Sequence, residues 1–342
     1  MSERIELLNA IASEIKEYRK GEIAEPTPEH VDRWARQFTE ENQLSLLREF
    51  SHVIKNSFLT QKEVNDFLYG LTKNENLAGK NPKEFWKNAN FLDVQQNGQS
   101  QKEMLKLFDS HLKSTFEINM AECGSDKGDF IYLDDILFSG QRIQDDLTNW
   151  IQNHAPQTCT VHVILVANHA SGQFYTKKKL NEIIHGTGKS IKIKYWLLAT
   201  IENRFSQKNT SNVLWPAVIP NSPDVKTYID EQKKFPFTPR TVLQPTAFPF
   251  SSEAGRQILE REFLIAGVKI RAKSANPKQS MRPLGFSSFG IGFGSTIATY
   301  RNCPNNCPLA LWWGDPLATE GAFHWYPLLP RKTYTSPENI FG

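Results

Sequence analysis

Two adjacent carboxylates, Asp134 and Asp135, close the apolar run Ile131-Tyr132-Leu133, and Ser139-Gly140-Gln141-Arg142 follows shortly after. Phe130–Asp134 has the composition of a strand, and the stretch from about Gly140 to Asn153 has the spacing of a helix. The acids therefore stand at the carboxyl end of a strand, where open α/β sheets bind ligands. A small hydroxyl residue and a glycine at a helix start can cradle an anion, because free backbone N–H groups and the helix dipole both favour negative charge there. Ser139, Gly140, Gln141 and Arg142 are thus the candidate phosphate and ribose contacts. Asp134 and Asp135 are the candidate catalytic acids, able to accept from the hydroxyls of a ribose or to hold Mg²⁺. Each residue also has a plainer use. The acids could cap the next helix, and Arg142 could pair with Asp145 or Asp146 at helical spacing.

A second candidate anion loop lies upstream. Asn90–Gln95 is a short strand candidate, Gln96-Asn97-Gly98-Gln99-Ser100 follows, and Ser100-Gln101-Lys102-Glu103 is a capping box opening a helix to about Leu112. Asn97, Gly98, Gln99 and Ser100 occupy the position of a pyrophosphate loop, or form a polar loop with a helix cap. Downstream, Thr160–Ala167 and Ile191–Ala199 read as strands separated by a helix over roughly Gln173–Ile184. The resulting β-α-β-α-β-α-β order predicts an α/β fold with an open, mostly parallel sheet.

Three apolar residues, Asp-Asp, an apolar residue, two variable positions and Thr/Ser-Gly-x-Thr form the phosphoribosyl-pyrophosphate (PRPP) motif of phosphoribosyltransferases. Residues 131–142, IYLDDILFSGQR, resemble it. The chain as a whole resembles the phosphoribosyltransferase-like proteins of the PRTase-CE type, proposed as effectors in bacterial conflict systems. The helical N-terminal region, FLDVQQNGQSQ, PNNCPLALWWGD and WYPLLPR carry that likeness. The resemblance implies a phosphoribosyltransferase-like core that binds PRPP or a nucleotide, with Mg²⁺ as cofactor. It also implies an anti-phage role beside other subunits, such as a retron reverse transcriptase with its RNA and DNA. Two positions depart from the motif: Arg142 replaces the second threonine, and Phe138 stands where some purine enzymes carry an acidic base. They direct attention from base salvage to another N-glycoside, or to a catalytically inactive module that senses nucleotides or binds a partner.

The elements around this core fall into three zones. Residues 1–88 read as helices, with Leu8, Ile11, Ile15 and Tyr18, then Val31, Trp34 and Phe38, on buried faces. Residues 89–205 form the α/β core. Residues 206–342, rich in Pro, Gly and aromatics with one helix over Ser252–Ala266, read as an irregular elaboration packed on the core. Cys303 and Cys307 form C-x₃-C without a second ligand pair, which argues for buried thiols over zinc. Gly290–Gly294 tempts a nucleotide-loop reading but sits between no clear strand and helix, so it reads as a glycine-bearing strand or turn packed near another backbone. His169 is expected in a surface loop, and Trp312, Trp313, Trp325 and Tyr326 are expected to cover the sheet or stack a base. The net charge of +3 over 342 residues places direct nucleic-acid binding last among the functions, despite basic runs at 177–179 and 189–194. No run is apolar enough for a signal peptide or a membrane span, so a cytoplasmic protein is expected.

Overall fold

The computed structural model describes residues 2–95, 99–232, 236–288 and 290–331. In chain order the elements begin with α1 (Glu3–Glu14), α2 (Pro28–Ala35), α3 (Gln43–Ser57), β1 (Phe58–Leu59), α4 (Gln61–Thr72), α5 (Glu75–Ala78) and α6 (Pro82–Asn88). The alternating part follows as β2 (Asn90–Phe91), α7 (Ser100–Phe116), β3 (Phe130–Leu137), α8 (Gln141–Asn153), β4 (Thr158–His169), α9 (Ala170–Thr187) and β5 (Ser190–Ile201). The chain then forms α10 (Pro223–Asp230), α11 (Glu253–Ala272), β6 (Ala298–Thr299) and α12 (Leu309–Trp312).

Two compact units emerge: residues 62–202, and residues 1–61 together with 203–342. This division differs from the three zones read in the sequence, and side-chain packing gives the reason. The helices of residues 62–88 belong with the sheet, since Trp86 stacks on Phe91 and meets Phe108 edge-on, while Phe85 packs on His162. Described residues from the 206–331 stretch complete a core with α1–α3. Trp34 packs on Phe263 of α11, Phe38 packs on Trp325, and β1 pairs in parallel with β6. The aromatic cluster expected over the sheet is therefore core here, with Trp312, Trp313 and Trp325 all buried.

In the unit of residues 62–202 the sheet order is β2-β3-β4-β5, every pair parallel. β3, β4 and β5 are longer than their apolar runs suggested, whereas β2 is only Asn90–Phe91 and not the expected Asn90–Gln95. β3 continues through both acids to Leu137, and β4 runs to His169 with α9 starting at the next residue. Alternation along β3 divides the two acids. Tyr132 and Asp134 share the face that meets α8, where the Tyr132 hydroxyl donates to Asp146 at 3.0 Å. Asp135 takes the opposite face with Ile131 and Leu133. The capping box read at Ser100 does not form: Ser100 is already the first residue of α7, and Gln99 at the cap position makes no side-chain cap bond, whereas Thr27 and Asn81 accept from N–H groups of the first turns of α2 and α6.

The other unit buries an ionic cluster. Glu260 accepts from Arg240 at 3.0 Å and Arg256 at 2.8 Å, and from the Trp215 backbone N–H at 3.0 Å; Arg240 also reaches Glu253 at 2.7 Å. The side chains of Arg240, Arg256 and Glu260 are almost wholly withdrawn from solvent. Removing one partner strands opposite charge in a dry site. Glu260→Ala is expected to lower stability by about 3–5 kcal/mol in urea unfolding. A loss below about 1 kcal/mol, the range of exposed pairs, would show that the cluster does not hold this unit together.

Candidate functional site

β3 delivers Asp134 and Asp135 to the carboxyl edge of the sheet, and the turn over 138–140 leads directly into α8. Gly140 adopts φ +80°, and a Cβ there would fall 1.9 Å from Thr176 Oγ1 of α9. Gly172, in the first turn of α9, has the reciprocal constraint: its Cβ would fall 1.8 Å from the Phe138 carbonyl oxygen. Glycine at both positions lets the loop lie directly against the helix. Ser139 is exposed beside the opening of α8, and its Oγ accepts from the Gln141 N–H at 3.4 Å.

The structure joins the two loops that the sequence proposed separately. Arg142 Nη1 donates to Ser100 Oγ at 3.3 Å, and Gln95 Nε2 donates to the same oxygen at 3.1 Å. The Ser100 hydroxyl in turn lies beside the Asp134 carboxylate and favours its charged form. Ser100 opens α7 and Arg142 lies in the first turn of α8, so the starts of two helices meet over the acid pair. Of the plainer alternatives for Arg142, neither describes its hydrogen bond: Asp145 accepts from Gln141 at 2.7 Å and Asp146 from Tyr132. Gln101 completes the upstream turn, its Oε1 accepting from the N–H groups of Val94 and Gln95 at 2.8 and 2.9 Å. Asn97 and Gly98 of the expected pyrophosphate loop lie outside the described residues.

Burial dominates the electrostatics of the acids. Asp134 is 2% exposed. Its pKa is pushed up by that burial and pulled back by Ser100, by Arg142 and by the Asp135 N–H, which donates to Oδ1 at 2.9 Å. Asp135 is pushed up to about 7, by burial first and by the charge of Asp134 second, against the Ile136 N–H at 2.7 Å and Arg142. One of the two carboxyl groups therefore changes charge near neutral pH.

Two further groups at this edge escaped sequence reasoning. Asn168, opposite Leu137 in the β3–β4 register, is fully buried, and neither its amide oxygen nor its amide nitrogen has a hydrogen-bond partner. Register and alternation put it on the face of Asp135. Gln101 Nε2 is likewise buried without a partner. Buried amides without partners are costly, so each marks unused hydrogen-bonding capacity. Asn168 looked like part of a loop because it follows the apolar run of β4. His169 corrects the expectation of a surface residue. It is fully buried, stacks on Phe138 at 4.7 Å and bonds the Leu137 carbonyl, and burial pushes its pKa down to about 3. The C-x₃-C thiols are free and buried, as expected. Gly292 and Gly294 pack directly against the backbones of Leu284 and Leu214, the close-packed turn the sequence suggested.

A family model described as PRTase-CE matches residues 31–331. No curated protein and no solved structure matches the chain.

The acid pair predicts a pH dependence. Both carboxyls sit above the ordinary range, so the folded chain keeps protons that the unfolded chain releases between about pH 4 and pH 7. Stability contributed by these protons falls as pH rises through that window. Asp135→Asn is expected to melt above the wild type at about pH 8 and to lose that advantage near pH 4. Thermal unfolding at several pH values checks this, and an offset independent of pH would remove the titration from Asp135.

Proposed function

The chain belongs to the PRTase-CE family of phosphoribosyltransferase-like proteins, and from that membership and the geometry above we propose that it binds a ribose 5-phosphate group, carried by PRPP or by a nucleotide, and acts on an N-glycosidic bond. The observation that carries the reading is the Arg142–Ser100 hydrogen bond beside Asp134, which brings the starts of α7 and α8 together at the acid pair. In this reading the 5-phosphate takes the N–H groups at the start of α8 and the Ser139 hydroxyl, with Gln141 and Arg142 beside it. Asp134 and Asp135 accept from the ribose hydroxyls. As glycosidic cleavage develops positive charge on the sugar, a fixed carboxylate near the ring stabilises it. The amides of Asn168 and Gln101 offer the bonds they lack.

Mg²⁺ fits this donor set. No group of three or more His, Cys, Asp or Glu side chains is gathered for a metal among the described residues. Mg²⁺, however, is commonly held by one or two carboxylates with substrate phosphate oxygens and water, and Asp134 and Asp135 would supply that pair. Bound there, it would neutralise charge on a pyrophosphate leaving group. The role of effector in an anti-phage system, beside a reverse transcriptase or other subunits, rests on the family likeness.

One observation favours a second reading, a nucleotide-sensing module without turnover. Phe138 fills the place of an acidic base and stacks on a histidine that stays neutral at pH 7. Calorimetry with PRPP, ribose 5-phosphate and nucleotides, with and without Mg²⁺, separates the possibilities from a null result. The wild type should bind, and Asp134→Asn with Asp135→Asn should weaken binding by about tenfold or more, the scale of one charge-assisted contact. Release of free base or pyrophosphate identifies the enzyme, and binding without release identifies the sensor. Unchanged affinity in a folded double variant would refute the site itself.

A further inference from the structure

Lysines on a solvated face need no partner, but large exposed aromatics beside them do. Residues 158–201, from β4 through β5, hold six lysines and one glutamate, a local charge of +5 in a chain whose total is +3. The excess positive charge of the whole molecule thus resides in this one βαβ segment. On α9, Phe174 and Tyr175 are 57% and 62% exposed, their ring centroids 5.4 Å apart at 78°. They take no part in the core, since α9 buries Gly172, Thr176 and Leu180 instead.

The spacing of these residues forms a pattern. Lys178 stands four residues after Phe174, and Lys179 four after Tyr175. On a helix each lysine therefore lies one turn along the same face from an aromatic ring, about 5–6 Å away between Cβ atoms. Lys177, one turn after Gln173, leans over the Tyr195 ring of β5 at 4.8 Å and extends the positive surface to the next element. Among the described residues β5 pairs only with β4, so its outer edge is open beside this surface. Among the described residues none of Lys177, Lys178, Lys179 and Lys192 forms an ion pair with a carboxylate.

We propose that this α9–β5 surface binds single-stranded nucleic acid. Aromatic rings followed one turn later by ammonium groups match a strand whose bases stack and whose phosphates lie alongside. A duplex keeps its base faces inside the stack and cannot use Phe174 and Tyr175 in this way. DNA and RNA share the chemistry used here. The surface begins on the helix that packs against the 138–140 loop, but it uses none of the residues assigned to the ribose-phosphate site and does not rest on that reading.

Anisotropy titration of the full chain with labelled oligo(dT) and oligo(rU) of about 12 nucleotides, near the upper range of one small binding fold, tests the proposal. Saturable binding that weakens as salt rises is expected, and the tighter oligonucleotide assigns DNA or RNA. Phe174→Ala with Tyr175→Ala should weaken binding at least about fivefold. Lys178→Ala and Lys179→Ala should each reduce the slope of log affinity against log salt by about 0.7. All four side chains are exposed, and circular dichroism verifies that the variants fold. Asp134→Asn with Asp135→Asn should leave oligonucleotide binding intact, which separates this surface from the first site. The proposal is overturned by no saturable binding, by equal affinity for a duplex of the same length, or by unchanged affinity in the aromatic variant. Preferential binding to phosphatidylserine vesicles that oligonucleotides do not displace would overturn it in favour of a membrane surface.

Discussion

A carboxylate taken out of water must find fixed donors or give up its charge. Asp134 meets this constraint through a serine hydroxyl that starts one helix and an arginine in the first turn of the next. The rest of the candidate site depends on that arrangement. Because Ser100 bonds Arg142 and lies beside Asp134, the starts of α7 and α8 are tied together at the buried acid. Asp135 feels the same arginine but also the charge of Asp134, and its proton is held up to about neutral pH. Burial pushes both adjacent carboxyls up, and the charge of Asp134 adds to the cost of charging Asp135.

Much of this was legible in the sequence because it is local. The β-branched run of β4 and the Asp-Asp/Ser-Gly spacing each act within a few residues, and the α/β order follows from them. What the sequence left open is what distant segments do to one another. Arg142 had acidic neighbours at helical spacing, yet its hydrogen bond goes to a serine forty-two residues earlier. His169 and Asn168 looked like loop residues because apolarity ends at Ala167, while backbone pairing with β3 and β5 continues to the end of β4. The aromatic C-terminal stretch looked like a covering for the sheet; only the contacts of Trp34 and Phe38 with Phe263 and Trp325 show that it completes the core begun by the first helices.

The two units solve the problem of buried charge differently. In residues 1–61 with 203–342, Arg240 and Arg256 clasp Glu260, so opposite charges neutralise one another without a vacancy. At the sheet edge, two acids share the influence of one arginine, and two amides carry unused capacity. The first arrangement is what a structural core requires. The second is electrostatically incomplete, which is the condition of a site that a ligand completes.

Gly140 and Gly172 add a point about how such a motif ages. Each glycine is required by the backbone or side chain of the other's segment, at 1.8–1.9 Å from any added Cβ, and neither requirement involves a ligand. A descendant that lost all turnover would still be held to glycine at both places by the fit of loop to helix. The glycine of this signature therefore outlives the chemistry it is usually taken to announce, and the acids at 134 and 135, costly to keep buried, are the part of the signature whose retention speaks for use.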